Sequence, residues 1–198
     1  MVTERQPVQA ESTAPAAPAE IDPGRHDPRL GPVVVSAGQI EQRVGELASE
    51  ITDDYAGRTV LLVGVLKGAF VFLADLVRGI DLDVEVDFMA VSSYGAATRT
   101  SGVVRILQDL EIHLEGRHVI LVEDIADSGL TLRYLRKVLL ARRPASLEIC
   151  TLLVREQVPE LERLIKYAGF RIPPGWVVGY GLDVDQRYRN LHDIVAYE

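Results

Sequence analysis

Glu123, Asp124 and Asp127 are followed at once by Ser128, Gly129 and Thr131 in the stretch HVILVEDIADSGLTL, residues 118–132. Adjacent carboxylates are good ligands for Mg²⁺, directly or through its waters, and good acceptors for a pair of sugar hydroxyls. A Ser-Gly-Leu-Thr turn that opens a helix aims backbone N–H groups and two hydroxyls at one spot, where the helix dipole favours an anion. Phosphate on the glycine side, with diol and metal on the acid side, describes a phosphorylated ribose. Taken singly, Asp127 or Ser128 would cap a helix, and Glu123 and Asp124 would be solvated loop acids. It is the whole string, at the end of an apolar run, that carries the site reading.

Such residues need a rigid frame, and the chain supplies an alternating one. VVVSAGQIEQRVGELASEITDD starts as a short apolar run and continues as a helix, with Ile40, Val44, Leu47 and Ile51 on one face and a cap near Ser36. Thr59 to Val65 reads as a buried strand, and AFVFLADLVRGI as an apolar helix ending near Gly79. Residues 82–91 and 102–110 read as two strands with no helix between them, hence an antiparallel pair. RHVILVED is a further strand, TLRYLRKVLLARR a helix striped by Leu132, Leu135, Val138 and Leu139, SLEICTLLVRE a strand, and WVVGYGLD the last clear one. Apolar strands alternating with helices predict an α/β fold around a mostly parallel sheet. Ligands in such sheets bind beyond the carboxyl ends of the strands, which is where the unusual residues fall.

The composition narrows the partners. The chain has 198 residues, 47% of them hydrophobic and 25% charged, with a net charge of −8. This is one soluble domain able to bury a core, and its acidic balance argues against a nucleic-acid binder. Cys150 is the single cysteine, so an internal disulfide is excluded, and its apolar setting predicts an inert thiol. No apolar run approaches the ~20 residues of a membrane span, and no secretory h-region opens the chain. A cytoplasmic protein without membrane partners is expected. Residues 1–32 hold six of the ten prolines and few large apolar residues, which predicts a disordered tail ahead of a domain at 33–198.

VILVEDIADSGLTL resembles the signature of the type I phosphoribosyltransferases, which bind 5-phosphoribosyl-1-pyrophosphate (PRPP), and its neighbours resemble the hypoxanthine-guanine branch of that family. The resemblance spans nearly all of residues 33–194. It implies a mostly parallel central sheet flanked by helices, a long mobile lid and a small hood carrying the base-binding residues. It also implies a Mg²⁺-dependent purine salvage enzyme that joins hypoxanthine or guanine to the phosphoribosyl group, works as a homodimer or homotetramer and takes PRPP and a purine base as its partners.

Residue by residue, the resemblance makes Glu123 and Asp124 the acids on the ribose hydroxyls and, with Asp183, the metal-binding set. Asp127 matches the acid that accepts the purine N7 proton, and Asp127 to Thr131, including Ser128, Gly129 and Leu130, the 5-phosphate loop. Some relatives carry Lys where this chain has Leu130, but the loop binds mainly through backbone N–H groups. Lys67 and Gly68, between a strand and a helix, match the pyrophosphate loop, which often contains a strained peptide bond; Arg189 matches an arginine on the same group. The small, polar stretch SSYGAATRTSG, Ser92 to Gly102, matches the lid, with Ser93-Tyr94 closing over PRPP. Trp176, which as a lone tryptophan would ordinarily fill core, matches the aromatic that stacks on the purine. Val177 matches the residue whose backbone meets the base edge, and Asp183 also lies near the purine 2-position.

One position departs. The family usually has lysine after the strand TLL to donate to the purine 6-oxo group, and here the match is Arg155. Arginine is a donor as well, but a planar fork on a longer stem. Neither side chain suits the 6-amino group of adenine, so a 6-oxopurine is expected, with hypoxanthine, guanine and xanthine left open. Phosphoribosyltransferases for other bases, a nucleotide-sensing regulator that binds RNA and a signalling receiver domain are the alternatives. The regulator lacks a basic face here, and a receiver has no use for the phosphate turn.

Overall fold

The computed structural model describes residues 27–94, 103–155, 161 and 163–198. The expected tail lies outside these residues as far as position 26, and the expected lid lies outside them over 95–102.

Two sheets form. The larger has six strands in the order β4-β3-β2-β5-β6-β7, where β2 is Val60–Leu66, β3 Val84–Tyr94, β4 Val103–Gln108, β5 His118–Ala126, β6 Ser146–Arg155 and β7 Tyr167–Ile172. All neighbouring pairs are parallel except β3 and β4, the expected antiparallel excursion. The smaller sheet is antiparallel, in the order β1-β9-β8, with β1 Leu30–Val35, β8 Trp176–Val178 and β9 Ile194–Tyr197. Leu30 thus opens a strand slightly ahead of the expected domain start.

The helices cover both faces of the large sheet. α1 (Ala37–Asp54) and α2 (Phe70–Gly79) pack with Val60, Leu62, Ile120, Val122, Cys150 and Leu152. α3 (Leu130–Leu140) packs with Leu61, Val63, Val65, Val119, Leu121 and Ile149 on the other face. Successive side chains of a strand point to opposite faces, so a strand covered on both sides must be apolar throughout. That is why β2 and the first half of β5 read as unbroken hydrophobic runs. Cys150 is buried and free, and burial pushes its thiol far above the ordinary range, as its apolar setting predicts.

α1 begins as its sequence indicates. Ser36 is the N-cap, and Ser36 and Gln39 complete a reciprocal capping box. The backbone N–H of Ala37 donates to Asp193 Oδ1 at 2.6 Å, and Tyr180 Oη donates to Asp75 Oδ2 at 2.7 Å. These two bonds tie the end of the chain to the two helices on one face of the large sheet. Among the described residues no helix is long and apolar enough to cross a membrane.

The strand order reverses at β2. The chain moves from β2 through α2 to β3 on one side, and then returns to β5 on the other. The carboxyl ends of β2 and β5 therefore diverge into loops side by side, which opens a crevice there.

Candidate active site

The crevice brings the Lys67-Gly68 loop against the acid pair of β5. A methyl group built on Gly68 would lie 1.6 Å from Asp124 Oδ2, so the carboxylate rests directly on the glycine backbone. The peptide Leu66–Lys67 is cis. On the other side of the loop, a methyl group on Gly181 would lie 2.3 Å from the Gly68 carbonyl oxygen, and Gly181 has φ +98. Glycine at both positions is what permits strand end, loop and carboxyl-terminal segment to meet.

Glu123 is 9% exposed, and its Oε2 is buried with no hydrogen-bond partner. Burial, with Asp124 alongside, raises its carboxyl well above the usual carboxylate range. Burial likewise pushes Asp124 up to about 6, although it accepts a 2.8 Å hydrogen bond from the Ile125 N–H. Two adjacent, dehydrated carboxyls, one with an orphan oxygen, have unmet capacity for hydroxyl donors or a hard cation.

This carries a stability consequence. The Asp124 carboxyl sits near 3.8 in an unfolded chain and about 6 here, so between those values the folded state binds the proton more tightly. Stability from this group is therefore lost as pH rises from about 4 to 6, by up to about 3 kcal/mol at 1.36 kcal/mol per unit. Asp124→Asn is expected to lack this slope and to be more stable than the native chain above pH 6. Thermal unfolding of the ligand-free protein between pH 4.5 and 7.5 checks it; parallel curves for the two proteins would contradict the burial cost.

Beyond Asp124 the chain turns as a cradle. Gly129 takes φ +72 and is the N-cap of α3, with no side-chain cap hydrogen bond. Neither Asp127 nor Ser128 is the cap, and the helix opens one residue before Thr131, at Leu130. The Leu130 N–H reaches Ser128 Oγ at 3.4 Å, and the N–H groups that follow keep the capacity for an outside acceptor. A methyl group on Gly129 would strike Leu161 Cδ2 at 2.3 Å. Leu130 is 44% exposed, a surface position compatible with a backbone-only role.

Arg155 stands at the end of β6. Its Nη1 donates to the Pro173 carbonyl at 2.5 Å, its Nη2 to the Gly175 carbonyl, and its Nε lies 3.4 Å from Asp127 Oδ1. The guanidinium thus faces two backbone carbonyls and Asp127. The same loop delivers Trp176, which is 68% exposed and so fills no core. Val177 follows on β8, paired with Ala196.

Arg189 closes the third side. Its Nη2 lies 2.6 Å from Asp183 Oδ1, and its Nη1 donates to the Gly181 carbonyl at 2.6 Å. Asp183 Oδ2 accepts from the Gln186 N–H at 2.8 Å. Among the described residues no three carboxylate, histidine or cysteine groups converge as a ready cage for a metal, so Glu123, Asp124 and Asp183 are not brought together in that form. Mg²⁺ usually takes one or two carboxylates and completes its shell with waters and substrate phosphates. The orphan Oε2 of Glu123 and the neighbouring Asp124 fit that mode. Ser93 and Tyr94 fall on β3, and their side chains are outside the described residues.

Sequence reasoning did not single out Gln186, Asp193 or Tyr180. Each acts across a long sequence separation, so no local pattern marks it.

An α/β sheet with a dehydrated acid pair, an uncapped helix start and a glycine-lined basic loop at its switch point belongs with the nucleotide-handling transferases. The chain belongs to the phosphoribosyl transferase domain family, whose model matches residues 34–185. It is 49% identical over 183 residues to the hypoxanthine-guanine phosphoribosyltransferase of Mycobacterium avium, covering 89% of this chain and 88% of that one. To the protein of the same name from Dictyostelium discoideum it is 47% identical over 163 residues, covering 80% and 91%. Its fold matches the crystal structure of a Bacillus anthracis hypoxanthine-guanine phosphoribosyltransferase with a TM-score of 0.80 and 41% identity, covering 85% of this chain and 99% of the other.

Proposed function

We propose that this protein transfers the 5-phosphoribosyl group of PRPP to hypoxanthine or guanine, giving IMP or GMP and pyrophosphate. The observation that carries the reading is the dehydrated Glu123-Asp124 pair, with Asp124 pressed against the Gly68 backbone, beside the start of α3. In this reading Glu123 and Asp124 accept the ribose 2- and 3-hydroxyls. The N–H groups of residues 127–131 hold the 5-phosphate. Lys67, Gly68 and Arg189 hold the pyrophosphate, and Trp176 and Val177 hold the base, with Asp183 near the purine 2-position.

The bond from ribose C1 to pyrophosphate oxygen breaks as purine N9 bonds to C1, through an oxocarbenium-like state. Lys67 and Arg189 offset charge growing on the leaving oxygen, and Asp127 takes the proton from N7. Positioning and charge stabilisation carry most of the rate. A bound Mg²⁺ would add neutralisation of the pyrophosphate and order the diol, held by Glu123 and Asp124 with Asp183 nearby. Ser93 and Tyr94 would close over the site and exclude water from the reactive ribosyl centre. We propose further that the protein works in the cytoplasm and, by the resemblance, as a homodimer or homotetramer.

The test is a spectrophotometric screen with PRPP and Mg²⁺, offering hypoxanthine, guanine, xanthine, adenine and uracil separately. Nucleotide from hypoxanthine or guanine is expected. No product from any base would end the enzyme reading, and turnover of adenine alone would end the 6-oxopurine one. In the same assay Arg155→Ala, which removes the proposed donor to the purine 6-oxo group and releases the Trp176 loop it holds, is expected to lower kcat/KM for hypoxanthine about 10- to 100-fold, the scale of losing charge-assisted hydrogen bonds. KM for PRPP should change little. An equal loss for PRPP and base would place Arg155 outside the base subsite.

A further inference from the structure

Gln186 stands between the two cations assigned to pyrophosphate. Its side-chain Oε1 accepts from Lys67 Nζ at 3.2 Å and from Arg189 Nη2 at 3.3 Å. Its own backbone N–H donates to Asp183 Oδ2 at 2.8 Å, and its Nε2 reaches the same oxygen at 3.4 Å. Lys67 lies 119 residues away in sequence, on the opposite wall of the crevice.

The backbone here is unusual. Asp185, Gln186 and Tyr188 have φ of +52, +63 and +73, three left-handed non-glycine residues within four positions. Such conformations are costly for residues with a Cβ and persist where the surroundings impose them. The Asp183 carboxylate and the Asp27 carboxylate, which accepts from the Tyr188 hydroxyl, supply that imposition. The segment aims one neutral acceptor at a point between an ammonium and a guanidinium.

We propose that Gln186 is a positioning residue for the pyrophosphate subsite: its amide oxygen holds Lys67 and Arg189 around one point, and a pyrophosphate oxygen takes over that point when PRPP binds. The inference rests on the pyrophosphate role given to those two cations above. A neutral amide suits the task. It keeps two like charges converged through hydrogen bonds, yet an anionic oxygen displaces it, because that oxygen adds the Coulomb attraction of a full opposite charge for both cations. A carboxylate in its place would form ion pairs with the same cations and compete with the substrate.

Two variants separate the terms, Gln186→Ala and the isosteric Gln186→Glu, which keeps the fold. Steady-state kinetics in PRPP are measured together with product inhibition by pyrophosphate. In Gln186→Ala, KM for PRPP is expected to rise about 5- to 10-fold, with kcat within twofold and KM for the base unchanged. In Gln186→Glu the rise is expected to be larger, with pyrophosphate a weaker inhibitor by a similar factor. If pyrophosphate competes with PRPP in the native protein but both variants keep native constants for both ligands, the role of Gln186 is overturned while the subsite stands. If pyrophosphate does not compete with PRPP in the native protein, the subsite itself is wrong and the role of Gln186 falls with it.

Discussion

Replacing Asp127 with asparagine is expected to lower the turnover of hypoxanthine by about 10²- to 10⁴-fold, the usual worth of a positioned general base. Asparagine keeps the size and planarity of the side chain, and its carbonyl oxygen can still face Arg155 Nε, which lies 3.4 Å from the native carboxylate. What it cannot do is take the N7 proton. The fold should be indifferent to the change, because the Asp127 side chain is 78% exposed and an exposed ion pair contributes only about 0–1 kcal/mol. The expected signature is a fall in kcat with native unfolding temperature and near-native KM for PRPP. Native turnover in the variant would remove Asp127 from the proton path.

Gly68→Ala is expected to damage PRPP binding by a steric route. The added methyl group would sit 1.6 Å from Asp124 Oδ2 and 2.4 Å from its Cγ, and the peptide cannot retreat, since Gly181 closes on the Gly68 carbonyl from behind. Either Asp124 swings off the diol position or the loop moves and takes Lys67 with it. Overpacking of this kind costs about 1–3 kcal/mol of stability. KM for PRPP should rise more than about tenfold, each factor of ten being about 1.4 kcal/mol. Adding Asp124→Ala to Gly68→Ala removes the atoms struck, so stability should recover while PRPP binding does not. A Gly68→Ala protein with native KM for PRPP would show that the contact is not needed.

The parallel sheet is legible in the sequence because double-sided burial leaves a plain mark, the unbroken apolar runs of β2 and β5. Two strands leave no such mark. β7, YAGFRI, is interrupted by Gly169, where a methyl group would strike the Leu152 carbonyl oxygen of β6 at 2.3 Å. The glycine is there for close strand approach, but in sequence it reads as a break. β9 has four residues and exists through its pairing with β1 and β8, one of them at the opposite end of the chain.

The site divides the same way. The acids and the glycine turn are contiguous, so their chemistry can be read locally. Where Trp176 points depends on the loop that Arg155 holds, and the lone-tryptophan expectation of a core position fails on that account. The separation that hid Gln186 is the span between β2 and the carboxyl-terminal segment, which only the folded sheet closes.

Trp176 has one more consequence. It is the single tryptophan of the chain and stands two-thirds exposed at the place assigned to the purine. A base stacking on it would exchange water for an aromatic face, and every photon the protein emits from indole comes from that position. With the base stacked there as proposed, the protein would carry its own optical reporter of base occupancy, needing no added label.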